Sequence, residues 1–210
     1  MKPVKESIVE FSLAIIAGGQ SRRMGRDKAF VDLGGIPLIE RVIQRSASLG
    51  QAEIILITNK PADYAHLGLP MFRDALPDKG SLGGIYTALM RAASECVLVL
   101  ACDMPFVNAD LLRLMIARLD ADTDIVVPRV DGYPQALHAI YRKTCIPPIR
   151  TQLEANRLKI IRFYDQMRVR YLDEADYAAF DADGRSFANL NTPAELAQAR
   201  QLLKADADAN

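Results

Sequence analysis

Tryptophan is absent from this chain, histidine occurs twice and cysteine three times. The histidines, His66 and His138, stand far apart in no ligand-spaced motif, which argues against a histidine-rich metal centre. The cysteines, Cys96, Cys102 and Cys145, are odd in number and lack C-x-x-C spacing, so neither a disulfide framework nor a zinc ribbon is indicated. Reduced thiols packed in or near a core are expected instead. No apolar run approaches the roughly 18 residues of a membrane span, and the opening MKPVKESIVE lacks an apolar signal core. A cytoplasmic protein without membrane contact is the expectation. There is no excess of either charge, with 26 basic against 26 acidic residues, so nothing global attracts nucleic acid, and any anion site must be local. The Walker pattern G-x-x-x-x-G-K-[ST] and the dinucleotide fingerprint G-x-G-x-x-G are also missing, which removes the main support for P-loop kinase and dehydrogenase readings.

What is present is a different phosphate grip. Residues 13 to 17, ending in Ile16 and Ala17, are apolar and short enough for a buried strand, and Gly18 and Gly19 follow at once. Glycines there let the backbone turn tightly and bring its N–H groups close to an anion. Arg22, Arg23 and Lys28 then add side-chain donors. Arginine forks match phosphate oxygens in pairs, and lysine acts as a movable point charge, so the loop suits a nucleoside triphosphate.

With 50% hydrophobic and 25% charged residues, the composition supports one sizeable core. Apolar runs at 13–17, 54–57, 97–101 and 125–127 read as strands buried on both faces. Helical patterns alternate with them: one from Pro37 in the first turn to Gly50 as a C-terminal cap, one over about 82–93, and one capped by Asn108. A further strand is indicated within 132–140 and a helix within 145–156. The sequence Thr192-Pro-Ala-Glu195 reads as a capping box opening a last helix. This order predicts an α/β fold, a single domain with a mainly parallel, Rossmann-like sheet and helices on both faces. The expected boundaries are an N-terminal extension at 1–10, the domain at 11–203 and a frayed tail at 204–210.

Ligands of such sheets collect at the carboxyl ends of the strands. Asp103 lies just beyond the run at 97–101, where a carboxylate either makes a turn hydrogen bond or holds Mg²⁺, a cation that keeps waters and takes substrate phosphates. Asn59 and Asp74 follow apolar stretches in the same way, and each is either a nucleotide contact or a turn residue. Gly80, Gly83 and Gly84 stand at a helix start, consistent with close approach of backbone to a ligand. Asn189 and Asn191 bracket Leu190 ahead of the capping box, where local turn bonding is an equally natural role. Arg129 and Arg142 fit acceptor contacts or surface ion pairs alike.

The segment Ala17 to Lys28, A-G-G-x-S-x-R-M-G-x-D-K, resembles the signature of MobA-type molybdenum cofactor guanylyltransferases. Arg73-Asp-Ala with Gly80-Ser-Leu-Gly-Gly84, Cys102-Asp-Met-Pro105 and Asn189-Leu-Asn-Thr-Pro-Ala-Glu195 follow in that family's order, so the likeness extends over nearly the full chain. The chain departs from it at Ser81, where the family usually has proline. The resemblance implies GTP as donor, molybdenum-molybdopterin as acceptor, and molybdopterin guanine dinucleotide and pyrophosphate as products. Molybdate-insertion proteins and apo-molybdoenzymes would be partners. It implies nucleotide contacts from Ile16, Ala17, Gly18, Gly19, Arg23, Lys28, Asn59, Asp74, Gly83 and Asp103. Arg23, Lys28 and Asp103 would be catalytic, Asp103 would bind the metal, and Asn189 and Asn191 would lie on the acceptor side. Glycine at position 18, where related cytidylyltransferases usually carry alanine, favours guanine over cytosine. Cytidylyl transfer, transfer to a sugar phosphate, and a non-catalytic nucleotide-binding regulator are the competing readings.

Overall fold

The computed structural model describes residues 9–17 and 27–208. Its elements alternate as the apolar runs suggest. Strand β1 (Phe11–Ile16) is followed by the short hairpin β2 (Asp32–Leu33) and β3 (Ile36–Pro37), then α1 (Leu38–Ser46), β4 (Glu53–Ile57), β5 (Met71–Phe72) and α2 (Gly80–Arg91). The second half holds β6 (Cys96–Ala101), α3 (Ala109–Ala117), β7 (Ile125–Val130), β8 (Tyr133–Pro134), β9 (His138–Arg142), α4 (Ile146–Glu154), β10 (Val169–Leu172), α5 (Glu174–Tyr177) and α6 (Pro193–Asp208).

The main sheet runs β10-β7-β9-β6-β1-β4-β5, with β8 paired to β7 at one end. β1 pairs in parallel with both β4 and β6, β4 with β5, and β7 with β10, whereas β9 is antiparallel to both β6 and β7. Because β9 reverses between two like-directed neighbours, the ends of β1, β4, β6 and β7 all open on one rim. β1 and β6 are buried at all six positions each, as strands covered on both faces must be. Alternate residues feed two cores. Leu13, Ile15, Leu98 and Leu100 pack towards α1 and α3, and Ala14, Ile16, Val97 and Val99 towards α2 and α4.

Local chemistry sets the helix ends. The Asn108 side chain accepts from the Asp110 and Leu111 N–H groups and caps α3. At α6 the reciprocal box is present, with Glu195 N–H donating to Thr192 Oγ1 at 3.2 Å and Thr192 N–H to Glu195 Oε2 at 2.8 Å. Two helix boundaries shift. Pro37 ends β3 and caps α1 instead of entering its first turn, and α1 stops at Ser46, whose hydroxyl bonds back to the Val42 carbonyl at 2.6 Å. Gly50, at φ +79°, serves the loop beyond. α2 begins at Gly80, whose φ is +56°, and takes in Gly83 and Gly84. α6 runs from Pro193 to Asp208.

Candidate active site

The open rim gathers side chains from three distant parts of the chain. Asp103 follows the end of β6, where Cys102 N–H bonds to the Ile16 carbonyl at 3.2 Å and holds the turn against β1. Lys28 begins a short helical turn, Lys28–Phe30, capped by the Asp27 side chain. Its ammonium lies 3.2 Å from Asp103 Oδ2 and also donates to Asn191 Oδ1. Only 18% of the Lys28 side chain and 17% of the Asp103 side chain are exposed, so this contact is partly shielded from water. The Asp103 carbonyl accepts from Leu190 N–H at 3.1 Å, which docks the 189–191 segment beside it.

Asn191 is fixed by more than its side chain. Glu195 Oε2 accepts from Asn191 N–H at 2.6 Å besides closing the capping box. Those backbone donors, with Lys28 nearby, hold the Glu195 carboxyl below its usual range. The helix cap therefore also aims a site residue, a double use the sequence pattern did not disclose. Asn189 lies next to this anchor without a side-chain bond to Lys28 or Asp103 among the described residues.

A second pair stands further along the rim, at the ends of β4 and β5. Asn59 Nδ2 donates to Asp74 Oδ2 at 2.7 Å, and Asp74 N–H donates to Asn59 Oδ1 at 3.0 Å. Arg73 braces the pair through the Asn59 carbonyl at 2.6 Å. Burial raises the Asp74 carboxyl above its ordinary value, and the Asn59 bond opposes that shift. Thr87 ties the following loop to α2, accepting from Ala75 N–H at 2.9 Å and donating to the Gly83 carbonyl at 2.8 Å.

Gly83 and Gly84 are accounted for by packing within the chain, and Gly80 by its left-handed backbone at φ +56°. A Cβ at Gly83 would stand 2.7 Å from Lys79 Cβ, and one at Gly84 would stand 3.1 Å from Ile16 Cγ2. Gly84 thus lets α2 settle on β1, and the Gly83 N–H is spent on the Lys79 carbonyl. The Ala17 N–H is likewise committed, to the Ile57 carbonyl at 2.9 Å. Gly18, Gly19, Arg22 and Arg23 lie outside the described residues. Arg142 donates to the Thr123 and Asp120 carbonyls at the opposite rim. Arg129 is held by Asp173 through two 2.7 Å bonds and lies over the Tyr171 ring.

The described residues contain no cluster of three or more His, Cys, Asp or Glu side chains able to cage a metal. A carboxylate and an amide oxygen on either side of one ammonium do suit a hard cation that keeps waters and phosphates as its other ligands. The thiols offer no competing chemistry. All three are free, and burial pushes Cys145 up to about 12.

The chain that brings this lysine and strand-end aspartate together on the rim of a mainly parallel sheet is similar over most of its length to known proteins. Residues 13–170 match the family model described as MobA-like NTP transferase domain. The chain belongs to that family. A probable molybdenum cofactor guanylyltransferase of Pelotomaculum thermopropionicum is 39% identical over 186 residues, covering 89% of this chain and 90% of the relative. The molybdenum cofactor guanylyltransferase of Vibrio parahaemolyticus is 37% identical, covering 91% and 95%. Among solved structures, molybdopterin-guanine dinucleotide biosynthesis protein A of Archaeoglobus fulgidus superposes with a TM-score of 0.80 at 27% identity, over 92% of this chain and 99% of that one. As a MobA-like transferase the chain is a nucleotidyltransferase. None of its described helices is long and apolar enough to cross a membrane.

Proposed function

We propose that this protein transfers GMP from GTP to molybdenum-molybdopterin, releasing pyrophosphate and forming molybdopterin guanine dinucleotide. The observation that carries the reading is the convergence of Lys28, Asp103 and Asn191 on one rim, in a chain whose relatives bear that activity in their names. Asn59 and Asp74 read the base, with Asp74 accepting from guanine's paired N–H donors on the oxygen that Asn59 leaves free. Gly18, Gly19 and Arg23 complete the hold on the triphosphate, beside Ile16, Ala17 and Gly83. Asn189 and Asn191 face the acceptor. The work takes place in the cytoplasm.

The acceptor's terminal phosphate is largely dianionic near neutrality, since its second pKa is about 6, so no general base is needed. One of its oxygens bonds to the α-phosphorus of GTP as the bridging P–O bond to the β-phosphate breaks. The obstacle is repulsion between anions. Lys28 leaves its pairing with Asp103 and Asn191 to meet the triphosphate, and its charge stabilises the departing pyrophosphate. Asp103, with Asn191, would hold Mg²⁺, which supplies charge neutralisation at the phosphate oxygens.

The test is anaerobic pyrophosphate release from GTP and CTP in parallel, with Mg²⁺ and molybdenum-loaded molybdopterin, using Asp103→Asn as the blank. Release with GTP alone is expected. Release with CTP alone would replace the donor and overturn the reading of Gly18. Silence with both would sink the proposed reaction.

A further inference from the structure

The pair assigned to the base leaves one edge of a guanine unread. Asn59 and Asp74 bond to each other twice, which leaves Asp74 Oδ1 and one amide hydrogen of Asn59 for a ligand. Guanine carries an acceptor, O6, directly beside its N1–H and N2–H donors, and a second acceptor, N7, on the other side of O6. A carboxylate suits the donors only. Two acceptors side by side call for a cationic fork, a geometry that a guanidinium has and an ammonium lacks.

Arg73 brings such a fork to this strand end. Its backbone is tied on both sides to β4, through Thr58 N–H to the Phe72 carbonyl at 2.9 Å and Asp74 N–H to Asn59 Oδ1 at 3.0 Å. Its side chain returns to the same place, where Nη1 donates to the Asn59 carbonyl at 2.6 Å. Asn59 is thus held by a cation at its main chain and by a carboxylate at its side chain, so donor and acceptor groups stand next to each other. A guanidinium has five N–H donors, and among the described residues one of Arg73's is used. The residue is exposed and open to a ligand. The neighbouring cations are engaged elsewhere: Lys60 lies 3.9 Å from Asp27, Lys79 donates to Asn156 at 3.1 Å, and Arg91 lies over the Phe72 ring.

We infer that Arg73 is a specificity-determining residue whose unused N–H groups donate to guanine O6 and N7 while Asp74 accepts from N1–H and N2–H. This rests on the reading of Asn59 and Asp74 as the base site and names the donor half of that site. Other bases are rejected by mismatch. Adenine would bring its 6-amino donor against the guanidinium, and cytosine would set its 4-amino donor there and its two acceptors against the carboxylate.

The experiment measures dissociation constants for the full chain by titration calorimetry, with Mg²⁺ and without acceptor. The ligands are GTP, 6-thio-GTP, whose sulfur is a weak acceptor, and ITP, which lacks the 2-amino group. Wild type is expected to bind GTP more tightly than either analogue. Arg73→Met should weaken GTP binding about 10- to 100-fold and abolish the preference over 6-thio-GTP, while the preference over ITP stays within about twofold of wild type. Arg73→Lys keeps a cation for the Asn59 carbonyl without the fork; it should show the same selective loss, and it decides the matter if the methionine variant does not fold. A merely structural brace for Asn59 would lower both preferences together, and that result would overturn the inference. Unchanged preferences in the variants would overturn it too, as would a wild type indifferent to the sulfur. Selective GTP binding without pyrophosphate release when acceptor is added would sink guanylyl transfer alone and leave Arg73 its role.

Discussion

Replacing His138 by leucine should remove most of the protein's loss of stability in mild acid. The imidazole begins β9, is fully buried and meets the Phe187 ring edge-on with centroids 4.9 Å apart. Neither ring nitrogen has a hydrogen-bond partner among the described residues. Burial alone drives its pKa down from 6.5 to about 3. The unfolded chain therefore takes up a proton below pH 6.5 that the folded chain refuses until about pH 3, and stability falls as pH drops through that interval. At about 1.36 kcal/mol per unit, the loss from pH 6.5 to pH 5 is about 2 kcal/mol, or roughly 4–8 °C in melting temperature for a chain of this size. The window can be isolated, because carboxylates held low in the fold lose their contribution only near and below their ordinary value of about 4. Thermal unfolding of wild type and His138→Leu between pH 7.5 and 5 is the assay. The variant should be level across that range, and as stable as wild type or more so at pH 7.5, since it sheds a buried unpaired polar ring. An equal acid slope in both proteins would refute the assignment.

Gly83→Ala should destabilise by about 1–3 kcal/mol in thermal unfolding despite the helix propensity gained, because its Cβ would overlap Lys79 Cβ at 2.7 Å. Gly84→Ala, whose contact is with the more yielding Ile16 side chain at 3.1 Å, should cost less. Glu195→Gln should lower kcat more than it lowers melting temperature, since it weakens the acceptor that orients Asn191. Unchanged kinetics would remove the positioning role of that cap. Asp124 receives bonds from Thr144 and from both the guanidinium and the backbone N–H of Arg168, which hold its carboxyl well below the usual range. Its contribution is present above the unfolded value near 4 and lost below it. Asp124→Asn should cost about 1–3 kcal/mol at neutral pH and flatten denaturant stability below pH 4, where wild type declines.

The strands buried on both faces were legible because a short, unbroken apolar run has no polar face to turn towards water and must lie between two packed layers. The caps at Asn108 and Thr192 were legible because their bonds are local. β9 was less so. His138-Ala-Ile-Tyr-Arg142 alternates like any strand, but its antiparallel place between β6 and β7 is decided by pairing with segments far away in sequence. The reading of the 80–84 glycines shows another limit. A residue without a side chain reports a close approach but does not say to what, and here Lys79 and Ile16 are what Gly83 and Gly84 approach.

The site divides along the same line. Lys28, Asp103, Asn59 and Asp74 could each be singled out from a strand end or a charged loop, but which of them meet was not in any local pattern. Lys28 and Asn191 are 163 residues apart and share a bond only because Leu190 hangs on the Asp103 carbonyl and Glu195 pins the Asn191 backbone. The chain has thus placed one cation between two side-chain oxygens, and under the proposed reaction this is the point where phosphate anions are brought together. In the ligand-free protein that ammonium offsets the Asp103 charge, and in the loaded one it would offset the triphosphate's. The turn carrying Lys28 would then have to hold its place while its charge changes partners, and the Asp27 side chain that caps it through Ala29 N–H is the group that fixes it.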